Sequence, residues 1–368
     1  MSEEIITRAY NTFIVDEENG SIRKNSRTDR LKNEAEYYKA LEERYQYSST
    51  QEGAFKYERV KRHFANMRNT DRTYEVETFD TVGTYLDLEL YGYENYGTQF
   101  ARLVESLSPS WITKDHPFDG FMSHLKQVME ILHGFGEQQY NYVHDIDQWI
   151  EDARSMFVDK TAREFMALLT SRSDWKGFLL SDPVSINFYG KSRKYRNFLD
   201  IWPKVVKYID EEILTRKLVE KHRTVIHGDM CFSNILYTDT PYKVIKFIDP
   251  RGSFGRVGIF GDNRYDIAKL YHSVDGLYEF IIRDQFALAE HAEKGLYMFD
   301  VIYPSVDLGA ILKLQSAFND KFVTNLKETM VLSGLIFIGM CARHYDSEQR
   351  QKVMYLTGLK QLNEAMEL

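Results

Sequence analysis

Between positions 225 and 255 the chain reads VIHGDMCFSNILYTDTPYKVIKFIDPRGSFG, which sets His227, Asp229, Asn234 and Asp249 at the ends of short apolar runs. Residues of these types suit phosphoryl transfer from ATP. That reaction asks little covalent chemistry of a protein: one carboxylate near the accepting hydroxyl, and oxygen donors from two different loops to hold Mg²⁺ against the phosphates. Asp229 fits the first role, and Asn234 with Asp249 fits the second. The stretch from Asp229 to Asn234 makes one turn of loop that can present both oxygens inward. The apolar run 244–248 then returns the chain and delivers Asp249 opposite them. HGD is a common tripeptide, and Asp and Asn favour turns for local hydrogen-bonding reasons. The weight therefore lies on the joint spacing, and on a chain order in which a strand-rich segment precedes a helical one.

The elements that must carry these residues are legible in outline. Residues 11–15 and 21–24 flank Asn19-Gly20, a strong hairpin signal. From Asp29 the stretch DRLKNEAEYYKALEERY puts Leu31, Ala35, Tyr38 and Leu41 on one helical face, with Asp29 at the capping position. Residues 45–73 are polar and basic, and their run RVKRHFANMRNTDR reads as a solvated helix with no role in the site. Strand character returns at 74–82 and at 84–91, which predicts a sheet of four or five strands around one helix. After Trp111 helical periodicity dominates, at 120–134, 145–157, 161–169 and 198–219. One strand pair, 224–226 and 244–248, interrupts it before helices resume from Tyr265. The expected fold class is α+β, with a small antiparallel sheet lobe carrying one helix over residues 1–92 and a larger, mainly helical lobe over 93–368.

Other signals carry less. Four histidines, His116, His124, His133 and His144, lack the spacing of a metal site and read as ordinary helix residues. Gly190-Lys191-Ser192 copies the end of a phosphate-binding P-loop, but Ser185 stands where its first glycine belongs, and no apolar strand leads in. Gly252, Gly255, Gly258 and Gly261 read as a flexible glycine-dotted loop. Two cysteines, Cys231 and Cys341, are too few for a disulfide framework and suit a reducing compartment, so the expected location is the cytoplasm. A net charge of −8 argues against a nucleic-acid partner, and no segment reads as membrane-spanning.

The set His227-x-Asp229-x4-Asn234 followed by Ile248-Asp249 resembles the catalytic and metal-binding loops of the aminoglycoside phosphotransferase and choline kinase superfamily. This is the small-molecule branch of the protein-kinase-like two-lobed fold, and the coarse layout resembles it over nearly the whole chain. The resemblance implies that Asp229 is the catalytic base, that Asn234 and Asp249 bind Mg²⁺, and that His227 braces the loop. It implies too that Asp266, in GDNRYDIAKL, supports the catalytic loop by hydrogen bonding. A lysine should hold the α and β phosphates of ATP and a helix glutamate should orient it. Lys24 and Glu34 match by strand-then-helix order, with Arg23 and Glu36 as the alternatives one register step or one helix position away. Glu89 and Tyr91, with Leu88 and Leu90, resemble the segment whose backbone holds adenine.

Two departures stand out. No glycine-rich loop precedes Lys24, although Gly20 can do part of that work, and Pro250-Arg251-Gly252 follows Asp249. Arg251 either contacts a phosphate or anionic substrate or pairs with a neighbouring acid. Gly228 stands where protein kinases carry Arg, and no Ala-Pro-Glu segment follows, which favours a small-molecule hydroxyl substrate. From 111 to 368 there are 32 basic and 35 acidic residues, little support for a polycationic substrate. The expected acceptor is therefore a sugar, polyol or amino alcohol. A narrower resemblance is to phosphotransferase-family proteins of capsule and surface polysaccharide synthesis. A catalytically silent nucleotide-binding module and a protein or peptide kinase are the alternatives; oligomeric state is not encoded legibly.

Overall fold

A computed structural model describes residues 3–6, 11–26, 30–46, 58–68, 74–78, 81–104, 122–123, 125–130, 132–133, 145–238, 244–293 and 296–368. Asp29, His116, His124 and His144 lie outside the described residues. The chain divides into two compact units: Met1–Thr98, His124–His144 and Arg223–Asn263 form the first, and Gln99–Ser123, Asp145–His222 and Arg264–Leu368 the second.

The first unit is built on strands β1 (Glu3–Ile6), β2 (Asn11–Asp16), β3 (Ser21–Ser26), β4 (Tyr74–Thr78) and β5 (Thr81–Glu89), with helix α1 (Arg30–Gln46) between β3 and β4. They form one antiparallel sheet in the order β1-β2-β3-β5-β4. The β2–β3 hairpin turns at Gly20, whose φ of +58° is the left-handed conformation that glycine adopts without a Cβ clash. Strand β3 alternates faces, and Lys24 and Ser26 point inward while Arg23 points out. Helix α1 packs on β5 and buries Leu31, Ala35, Tyr38 and Leu41, the periodic face, together with Tyr37. Strand β4 ends at Thr78 and β5 begins at Thr81, both earlier than the sequence suggested.

The pairing of 224–226 with 244–248 is corrected. Strand Arg223–Val225 pairs with Phe260–Asp262, whereas Val244–Phe247 pairs with Ile235–Thr238, which pairs in turn with Glu94–Asn95. A strand's partner is chosen by tertiary register, which local composition does not carry. The polar segment after Tyr45 is also not a wholly solvated helix. Phe64 is buried, the Ala65 N–H donates to the Phe247 carbonyl, and the Glu89 N–H donates to the Asn66 carbonyl, so this segment bridges two sheets of the unit.

The second unit is mainly helical. Helices Leu326–Met340 and Glu348–Glu367 form its antiparallel centre, and both are buried nearly all round. Gly334 and Gly358 let them close: a Cβ on Gly334 would stand 3.1 Å from the Gly358 carbonyl oxygen. A four-stranded sheet, missed in the sequence, joins hairpin Val184–Phe188 and Lys191–Tyr195 to hairpin Ala287–Glu293 and Leu296–Ile302. The sequence of Ala287–Glu293, ALAEHAE, favours helix, and pairing along all seven residues with its partner overrides that preference. Gly190-Lys191-Ser192 is the turn and start of a strand in this sheet. No single helix among the described residues is long and apolar enough to cross a membrane.

Candidate functional site

Lys24 is the centre of the site. Its Nζ lies 2.8 Å from Glu34 Oε2 and 2.5 Å from Asp249 Oδ1, so one buried ammonium ties together β3, α1 and the loop after strand Val244–Phe247. The alternatives fall away on geometry. Arg23 pairs outward with Asp87 at 2.7 Å, and Glu36 is an exposed partner of Lys39.

The electrostatics follow from one cation serving two carboxylates in a dry place. Burial pushes the Lys24 ammonium down, and Asp249 and then Glu34 more than reverse it, so Lys24 stays protonated. Burial pushes the Glu34 carboxyl up to about 7; Lys24 opposes this and Asp249 adds to it. Glu34 Oε1 is buried with no hydrogen-bond partner among the described residues.

The loop carrying His227 and Asp229 is held from both sides. The Asp229 N–H donates to His227 Nδ1 at 3.2 Å, which fixes the tautomer with the proton on Nε2, and Nε2 donates to the Ile248 carbonyl at 2.9 Å. His227 is fully buried and stacks on Phe64, with ring centroids 5.9 Å apart and planes at 16°. The Tyr37 hydroxyl of α1 donates to the Ile226 carbonyl at 2.8 Å, tying the same helix that carries Glu34 to the start of this loop.

Asn234 and Asp249 are brought together by the ladder between them. Ile235 pairs with Phe247, and the Ile248 N–H donates to the Asn234 carbonyl at 3.0 Å, so the two side chains emerge at neighbouring strand ends. Asn234 Nδ2 donates to the Asp229 carbonyl at 2.8 Å, which leaves the amide oxygen as the atom available to a cation. Asp249 has φ +58°, a left-handed position that aspartate tolerates better than most residues, and its side chain is one-third exposed. Two hard oxygen donors from two loops suit Mg²⁺, which is commonly bound by one or two carboxylates plus substrate phosphates. Among the described residues no group of three or more His, Cys, Asp or Glu side chains is arranged to hold a metal without such help.

Gly252 is the residue whose importance the sequence hid. Its φ is +66°, and a Cβ there would fall on the backbone carbonyl of Asn33, the residue before Glu34. The glycine is what lets α1 lie against the loop after Asp249. The glycine-dotted segment is accordingly ordered: Ser253–Phe254 and Arg256–Val257 pair around Gly255, and the Gly258 N–H donates to the Gly252 carbonyl. Gly228 (φ +78°) is packed against the Arg251 side chain, whose Nε is buried with no hydrogen-bond partner among the described residues. Phe64 and Asn66 were also missed, because a short basic segment with isolated apolar residues gives no periodic signal.

Glu89 and Tyr91 form a small network of their own. Tyr91 Oη donates to Glu89 Oε2 at 2.9 Å, Asn66 Nδ2 donates to the same oxygen at 2.6 Å, and Lys246 Nζ stands 4.9 Å over the Tyr91 ring. The Leu90 N–H donates to the carbonyl of Gly20 in the hairpin turn. Asp266 belongs to the second unit, fully buried in the first turn of helix Asn263–Val274, where the helix dipole favours an acid.

No protein-family model matches the chain, and no curated protein sequence matches it. Among solved structures it is similar to the GDP and kanamycin complex of the aminoglycoside phosphotransferase APH(2")-IIia, at 12% identity over 99% of this chain and 92% of that one, with a TM-score of 0.47. It is similar to aminoglycoside phosphotransferase APH(4)-Ia at 10% identity over 97% and 93%, with a TM-score of 0.47. A glucosamine kinase in complex with glucosamine, ADP and inorganic phosphate follows at 12% identity over 96% and 74%, with a TM-score of 0.45. Scores below 0.5 at such identity are likenesses in the course of the chain, and the functional reading stands on the Lys24, Glu34 and Asp249 geometry.

Proposed function

We propose that this protein is an ATP- and Mg²⁺-dependent kinase of a small-molecule hydroxyl, with a sugar, polyol or amino alcohol as acceptor. The observation that carries this reading is the double engagement of Lys24 by Glu34 and Asp249 beside the His227–Asn234 loop. A buried lysine oriented by a helix carboxylate and a second carboxylate on a metal-competent loop is the arrangement that phosphate handling requires.

In this reading Lys24 turns from Asp249 toward the α and β phosphates, with Glu34 holding its stem in place. Asn234 and Asp249 hold Mg²⁺, which when bound neutralises charge on the phosphates. Asp229 orients the acceptor hydroxyl and takes its proton as that oxygen bonds to the γ phosphorus and the bond to the ADP oxygen breaks. His227 keeps the Asp229 backbone in register through its two ring hydrogen bonds. Asp266 acts as support, and the Glu89–Tyr91 segment receives adenine. The sheet lobe of residues 1–92 would then handle nucleotide, and residues 93–368 would supply the catalytic loop, the metal donors and the acceptor site.

The test is Mg²⁺-dependent ADP release against pooled sugars, polyols, amino alcohols and aminoglycosides, with products identified by mass. A product heavier by one phosphate is expected, with the rate lowered by about 10²–10⁴ in Asp229→Asn. Nucleotide binding without transfer to any pool would favour a silent regulatory module or a protein kinase. Absence of ATP binding would overturn the reading.

A further inference from the structure

Arg251 is a cation of the candidate site that no acid among the described residues neutralises. It lies two residues past Asp249, and its backbone N–H donates to the His227 carbonyl at 2.9 Å, which sets it beside the turn that carries Asp229. Its side chain runs over Gly228: a Cβ there would meet the Arg251 Cβ at 2.7 Å and its Cδ at 3.3 Å. Glycine at this left-handed position leaves the arginine stem its room and fixes its course. Arg251, Gly228, Asp229, Asp249 and Lys24 all belong to the first unit.

The guanidinium has a sealed part and an open part. Nε is buried against this turn, whereas the two Nη groups are not buried, and none of the three makes a hydrogen bond or ion pair with the described residues. Arg251 as a whole is half-buried. Other arginines shielded to a like degree are paired: Arg172 with Glu348, Arg343 with Glu164 and Arg350 with Asp284. At the site itself Lys24 is held between Glu34 and Asp249, so those two carboxylates are already engaged.

A stem fixed by packing and a planar pair of open N–H donors match the oxygens of a phosphoryl or carboxylate group. We propose that the Nη groups of Arg251 bind an oxyanion beside Asp229. The inference rests on the kinase reading for the source of that anion alone: the terminal phosphoryl group of ATP, or an acid group carried by the acceptor. In the first case Arg251 stabilises charge on the group being transferred; in the second it selects an acceptor that bears a phosphate or carboxylate as well as its hydroxyl.

Phosphorus NMR of the full chain titrated with inorganic phosphate, without nucleotide or Mg²⁺, tests the anion site by itself. Saturable binding is expected. Arg251→Gln should weaken it on the order of tenfold, and Arg251→Lys, which keeps the charge without the fork, should recover part of the loss. The melting temperature of Arg251→Gln should hold, since the side chain has no hydrogen bond to lose. Calorimetry with ATP and with ADP then assigns the source. Weakened ATP with unchanged ADP in Arg251→Gln identifies the terminal phosphoryl group, and unchanged affinity for both identifies the acceptor. No saturable phosphate binding, phosphate affinity unchanged in Arg251→Gln, a clear fall in its melting temperature, or equal weakening of ATP and ADP would overturn the proposal. Phosphate binding through Arg251 in a chain that binds no nucleotide would overturn the kinase reading and leave the anion site standing.

Discussion

Glu34→Gln should change how stability depends on pH, and in a direction fixed by the site. Burial raises the Glu34 carboxyl from 4.5 to about 7, against the opposing Lys24 ammonium and with a further push from the Asp249 charge. The folded state then holds this proton more tightly than the unfolded chain does. Its contribution to stability is fully present below 4.5 and is lost as the pH rises through 7. A rise of about 2.5 pH units at roughly 1.36 kcal/mol each makes the full loss about 3 kcal/mol. Most of it falls between about pH 5 and pH 8, where the swing is on the order of 2–3 kcal/mol. Glutamine keeps the shape and an oxygen for Lys24 Nζ but cannot ionise. Urea unfolding of both proteins by tryptophan fluorescence, across this pH range, should show the variant gaining on the parent by that amount as pH rises. Titrating groups distant from Glu34 are common to both and cancel. A stability difference that stays flat with pH, or that slopes the other way, would refute the shared-cation account of the site.

Two further outcomes follow from neighbouring geometry. Gly252→Ala places a methyl on the Asn33 carbonyl at a left-handed φ, so α1 must shift. A loss of about 1–3 kcal/mol in thermal unfolding is expected, together with weakened ATP binding by titration, and unchanged values of both would show that the close approach is not needed. In the second unit Arg264 Nη1 donates to Glu328 Oε2 at 3.0 Å and to the Ile213 carbonyl at 3.1 Å, with both side chains nearly buried. Arg264→Met should cost about 3–5 kcal/mol, since it strands a carboxylate, and the pair Arg264→Met with Glu328→Met should recover much of that in the same denaturation assay.

The sequence by itself determined the hairpin at Gly20, the inward face of α1 and the α+β class, and it marked 225–255 as the candidate site loop. Each of these rests on local information: residue type, a spacing of a few positions, or a helical or strand period. Lys24 and Glu34 were legible as candidates because strand alternation and helix periodicity narrow each choice to two residues. Only the tertiary structure decided between Lys24 and Arg23, because a register slip by one residue exchanges the faces of a strand. It also decided which strands pair, since Val244–Phe247 meets Ile235–Thr238 and not Arg223–Val225. Gly252 and Phe64 gained their places from chain segments distant in sequence, α1 for the one and His227 for the other. Such roles are properties of close approach between segments. A single residue's type carries no signal of them until packing brings the partner within a few ångströms.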